Sequence, residues 1–181
     1  MNTNRWTAQI DKTTEAFKTT FGGLTIEQLN AKPDANTWSI AQNMDHLIVI
    51  NETYYPVIKA VRDGTYKPPF MGKLSFMVNF LGNFILTSVQ PDRKKKIKTF
   101  PIWEPSKSAI GSDILTRFEK HQEALKKLIT TNADLIEKGT VISSPANKNI
   151  VYTLEKAFDI IVAHEQRHFE QANELLPLVT K

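Results

Sequence analysis

The 181 residues carry a formal net charge of +4 and no cysteine, which excludes disulfides and thiolate ligands and leaves His, Asp and Glu to bind metal. A chain of this length reads as one domain over residues 1–181; its start, MNTNRWTAQIDKTTEAF, has no apolar signal segment, so a cytoplasmic protein is expected. Part of the positive charge is the cluster Arg93, Lys94, Lys95, Lys96 and Lys98, which lacks interleaved aromatics and reads as a solvated loop, so neither nucleic acid nor a membrane is expected as partner.

In chain order, Trp6, Ile10, Thr13 or Thr14 and Phe17 recur at helical spacing from Asn4 to Phe21, and Gly22-Gly23 ends this first helix. Thr25 and Gln28 fit a capping box for a short turn that Pro33 closes. Ser39 and Gln42 fit another, opening a second long helix that runs to Gly64 with Pro56 as its kink. Residues 65–111 are irregular and hold five of the nine prolines. Their apolar stretch LSFMVNFLGNFILTSV is about 16 residues, short of the roughly 20 a bilayer requires, and reads as a core-packed or subunit-interface helix. A third long helix is predicted over Ser112 to Thr131 and a fourth over Thr153 to Leu176, stopping before Pro177. Only TVISS suggests a strand. The expected fold is all-α, a four-helix bundle with a long irregular crossover between its second and third helices.

His164-Glu165-Gln166-Arg167-His168 is H-E-x-x-H, a pattern that on a helix can hold zinc with the glutamate as general base. At about 100° per residue both histidines fall in the apolar arc of the last helix, one turn apart, so their imidazoles can converge on one ion. A metzincin would continue to a glycine and a third histidine, but Gln171 and Glu174 stand there, and Glu174 points away from the pair. The third ligand must come from upstream. His46, at the edge of the apolar arc beside Ile50 and Val57 on the second helix, is the candidate, while His121, among charged residues, is expected at the surface.

A histidine in WSIAQNMDHLI and H-x-x-x-H near the end resemble the DinB-like (DinB/YfiT) superfamily of metal-binding four-helix bundles. The resemblance includes the Thr25 to Pro33 turn, the Trp38-Ser39 helix entry and the PSKSAIGSDILTRFEKHQEAL lead into the third helix, and so covers nearly the whole chain. It implies a metal triad of His46, His164 and His168, with Arg167 and Gln171 beside the second motif, and often a homodimer. It also implies, for some members, transfer of a low-molecular-weight thiol to an electrophilic small molecule.

Three neutral imidazoles leave a divalent ion, Zn²⁺ in the first instance with Ni²⁺ as the alternative, an open position for water or a substrate atom. Such an ion lowers the pKa of water to about 7 or holds a thiol as thiolate. The leading expectation is thiol transfer. The alternatives are a hydrolase with Glu165 as general base, and a bundle that binds metal or ligand without turnover. Glu165, near the middle of the apolar arc, is equally a structural partner for Arg5, Arg167 or a neighbouring subunit. Gln42, Asn43 and Thr53 are placed to orient His46 or a ligand. Trp38, Phe76, Phe80, Trp103 and Phe169 read as core or interface.

Overall fold

The computed structural model of the protein describes residues 3–92 and 99–180; the basic run at 93–98 lies outside the described residues. The helices are α1 (Asn4–Phe21), α2 (Ile26–Asn30), α3 (Ile40–Glu52), α4 (Tyr54–Arg62), α5 (Ser75–Ser88), α6 (Ile114–Thr131), α7 (Ala133–Glu137), α8 (Leu154–Asn173) and α9 (Leu176–Val179), with β1 (Val141–Ser144) and β2 (Asn147–Thr153) between α7 and α8. The protein is thus mostly helical, and no helix among the described residues is long and apolar enough to cross a membrane.

Local chemistry accounts for the helix ends. Thr25 and Ser39 each accept a hydrogen bond from the backbone N–H three residues on, and Gln28 and Gln42 reach back to the cap N–H groups, so both expected capping boxes form. The second long helix divides at Thr53 into α3 and α4. Pro56 is the cause: it has no N–H to offer the Glu52 carbonyl, and its ring crowds that oxygen. Pro177, expected as a stop, instead sits in the first turn of α9, where its missing N–H costs nothing.

One expectation is corrected. The fold includes a two-stranded antiparallel sheet, with Ile142 opposite Tyr152 and Ser143 opposite Val151. β2 was hidden because its first half, Asn147 to Asn149, is polar and does not alternate, whereas Val151 and Tyr152 enter the core.

α1 and α3 each pack against both α6 and α8. Two apolar clusters fill the interior. One gathers Phe17, Phe21, Ile40, Met44, Ile114, Phe118 and Ala172, and the other Trp6, Ile10, Tyr54, Ile58, Leu125, Ile129 and Phe158. Four of the helices also bury polar side chains: Thr13 from α1, Asn51 from α3, His121 and Gln122 from α6, and Glu165 from α8. The Glu165 carboxylate, 1 % exposed, accepts hydrogen bonds from Asn51 Nδ2 (2.9 Å) and Gln122 Nε2 (3.0 Å). Its structural partners are therefore two amides, while Arg5 pairs with Glu155 and Asp159.

His121 is the second correction. It is 6 % exposed and stacks on Tyr55 at 6.3 Å. Its sequence neighbours are charged, but it shares the face of Phe118 and Leu125, three residues back and four ahead, and that face is the buried one.

Burial drives these two groups in opposite directions. It pushes His121 down to about 4 and Glu165 up to about 7, the two amide hydrogen bonds opposing the latter shift. From pH 6.5 down to about 4 the unfolded chain therefore binds a proton at His121 that the folded chain refuses, so acidification destabilises. Glu165 acts oppositely between pH 7 and 4.5, where the folded chain holds the proton. In denaturant titrations between pH 6.5 and 4.5, His121→Phe should make the acid-side loss of stability shallower by up to one proton, about 1.4 kcal/mol per pH unit. An unchanged slope would mean that His121 is protonated in the folded protein.

Candidate metal centre

Hydrogen bonds join Asn43 to His168 and Asn51 to Glu165, so α3 and α8 run antiparallel and share one seam. The three histidines expected as ligands converge on it. His164 and His168 stand one turn apart on α8 with their Nε2 atoms 3.0 Å from each other. His46 faces them from α3, its ring centroid 5.2 Å from that of His164 and 4.6 Å from that of His168. One ring nitrogen from each lies within 4.8 Å of the others.

Which nitrogen faces inward is decided by what holds the other. The Trp103 carbonyl, which can only accept, lies 2.5 Å from His46 Nδ1, so that nitrogen carries the hydrogen and Nε2 is left with its lone pair. Asn43 Nδ2 donates to the Ser39 carbonyl (2.9 Å), which turns Asn43 Oδ1 toward His168 Nδ1 at 2.8 Å and fixes the same tautomer there.

The Trp103 carbonyl is itself held in place. Gln42 Nε2 donates to the Ser106 carbonyl (2.9 Å), the Ser106 N–H donates to Asp45 (2.9 Å), and Trp103 Nε1 donates to Thr53 Oγ1 (3.1 Å). Asp45 also pairs with Arg117 at 3.1 Å. Gln42 and Thr53, expected to orient His46 or a ligand, bond this strap of chain and not the imidazole. Asn43, named with them, holds His168 instead. The strap and its backbone carbonyl left no signal in the sequence, 57 residues from His46.

Burial keeps all three rings neutral. It lowers His46 to about 4 against the Trp103 hydrogen bond, and it takes His164 and His168 well below the usual histidine range, reinforced by the neighbouring imidazoles and by Arg167. Neutral imidazoles are the protonation state that metal binding requires, and at His46 and His168 the inward Nε2 is also left bare. Two nitrogens each about 2.1 Å from one tetrahedral ion stand about 3.4 Å apart, so the His164–His168 spacing of 3.0 Å is about 0.4 Å short of a chelating pair.

The triad opens into a cleft of about 1420 Å³. Trp103, buried as expected, and half-buried Trp38 both line it; Trp38 lies against His46 and His168, its ring 4.7 and 5.8 Å from theirs. Phe169 packs in the core against Phe17 and Phe21, while Phe76 and Phe80 are exposed. Arg167 donates to the Gln90 carbonyl (3.1 Å) beyond the end of α5 and so ties that helix to the rim. Glu165, one residue from His164, is absent from the lining among the described residues. Asn43→Ala should leave the triad present but unoriented, lowering metal affinity 10- to 100-fold in a competitive chelator titration; an unchanged affinity would show that Asn43 does not position His168.

A family model described as the DinB superfamily matches residues 9–172. The uncharacterized protein YuaE of Bacillus subtilis (strain 168) is 31% identical over 157 residues, which cover 84% of this chain and 86% of that protein. No solved structure matches the chain. With the match running from α1 to the last turn of α8 and taking in all three histidines, the chain belongs to the DinB superfamily.

Proposed function

We propose that the protein is a metal-dependent enzyme that joins a low-molecular-weight thiol to an electrophilic small molecule, with a divalent ion held by His46, His164 and His168. The observation that carries this reading is the set of three neutral, converging imidazoles at the wall of an open cleft. Zn²⁺ suits three imidazoles best on availability, with Ni²⁺ as the alternative. The packing of α1, α3, α6 and α8 supports the finer description of the scaffold as a four-helix bundle.

When bound, the ion supplies a Lewis acid that makes a thiol acidic at neutral pH. The chain's own groups do the rest. Trp103 O and Asn43 hold two imidazoles in the ligating tautomer, Trp38 covers two of the rings, and the open cleft admits the second substrate. The chain has no cysteine, so the sulfur has to arrive with a substrate. The thiol sulfur forms a new bond to the electrophilic carbon, whose leaving group departs with the bonding pair while the thiol proton passes to solvent.

Hydrolysis is the second reading. It is favoured by the position of Glu165, next to His164 in sequence, with a pKa that burial raises to about 7. Thiol transfer leads because both Glu165 oxygens are engaged by Asn51 and Gln122.

Elemental analysis of protein purified without a histidine tag should find about one equivalent of metal, lost in His46→Ala and in His168→Ala. The wild type should consume a model electrophile only with added thiol. Metal-free wild type after reconstitution would leave a bundle without this chemistry, and turnover of an ester or amide without thiol would favour Glu165 as base.

We also propose a homodimer through α5. Phe76, Phe80 and Phe84 follow one another at four-residue spacing and are 66%, 64% and 58% exposed, with Phe70 beside them in sequence at 73%. Together they present roughly 500 Å² of aromatic surface, at the upper end for a monomer and well toward the roughly 800 Å² per partner of a stable interface. α5 has no charged residue, so a second copy meets no like charge across it. Light scattering should give twice the monomer mass for the wild type and the monomer mass for Phe80→Asp; a dilution-stable monomer in both would remove the interface.

A further inference from the structure

The cleft is not uniform along its length. Where α3 and α8 run toward the capping boxes, one turn from the triad, its walls are polar: Asn43 precedes His46 by three residues and Gln171 follows His168 by three. One turn the other way, the same two helices present Ile50, four residues after His46, and Ile160 and Ile161, four and three before His164. Ile85 and Val89 at the end of α5, and Ile150 of β2, close over that half. All three pack on the buried cluster that contains Ile160 and Ile161. Tyr54 and Tyr152 also line it, and their hydroxyls hydrogen-bond each other at 2.9 Å.

We infer that the cleft takes an amphiphile: a polar, metal-coordinating head at the histidines and an unbranched apolar tail in the arm between α3, α5, β2 and α8. α3 carries the wall from His46 to Ile50, about 6 Å along the helix axis, and Tyr54 at the start of α4 continues it. The inference rests on the reading of the triad as a metal centre and adds the class of substrate. Three observations carry it together. The branched aliphatic residues come from four separate elements, Leu175 is the one such lining residue beyond Gln171, and the α3 and α8 residues one turn from the triad on that opposite side are polar. A small polar substrate would have no use for that side. A cleft of about 1420 Å³ has room for such a ligand.

The test is a series of straight-chain alkyl hydroxamic acids, from two carbons to ten, titrated calorimetrically into Zn²⁺-loaded protein and into the His168→Ala variant. Burying each methylene contributes about 0.8 kcal/mol, so affinity should rise about fourfold per carbon until the arm is full and then level off. Val89→Phe, which fills the arm from a half-buried position, should shorten the chain length at which the rise stops. The affinity of the two-carbon member reports the metal, whereas the increment per carbon reports the arm, so the two readings fail separately. Weak two-carbon binding with the increment intact in both proteins would sink the metal centre and keep the apolar arm. Tight two-carbon binding with no gain along the series, or an increment that Val89→Phe does not shorten, would overturn the inference.

Discussion

Each imidazole has two nitrogens, and only one can face a common point; the other must find a partner or leave a polar group buried at a cost of about 1–3 kcal/mol. That requirement organises much of the molecule. His168 meets it within the bundle, through Asn43, whose amide is oriented by a carbonyl of its own helix. His46 meets it with a backbone carbonyl from far along the chain, so the connection between α5 and α6 has to return to α3 and be fastened there. Gln42, Asp45 and Thr53 are the fastenings, and all three sit on or at the end of the helix that carries His46. The stretch from Trp103 to Ser106 is therefore part of the site.

The same logic explains the buried layer of Asn51, Gln122 and Glu165. Glu165 is buried without a cation partner among its hydrogen bonds, a situation tolerated because two amides donate to it and because burial favours its neutral form. Asn51, Gln122 and Glu165 come from three different helices and can bond only in one register. Sliding any helix by a turn would bury a carboxylate against hydrocarbon. This layer sits beside the metal-ligand positions on α8, so the alignment that satisfies Glu165 also sets the height of His164 and His168 opposite His46.

The capping boxes at Ser39 and Thr25, the extent of α1, and the inward pair His164 and His168 were legible because each depends on residues three or four apart, within reach of local periodicity. His121 was misread for an instructive reason: its charged neighbours in sequence are not its neighbours on the helix face, and Phe118 and Leu125 outweigh them. β2 escaped because half of it is polar. The roles of Trp38 and Trp103 escaped too, since a wall of a cleft and a wall of a core present the same residue types.

By itself, then, the amino-acid order determined that the chain is helical, where its main helices begin, that thiolate ligands are absent, and that three particular histidines are candidates for one ion. These follow from short-range sterics, capping and the period of the helix. Only the tertiary structure decided which ring nitrogen faces inward, that Glu165 answers to Asn51 and Gln122, and that the cleft has a polar and an apolar half. Those outcomes depend on atoms brought together across 43 to 125 residues of chain, where pairing is set by packing the whole core and no local pattern records it.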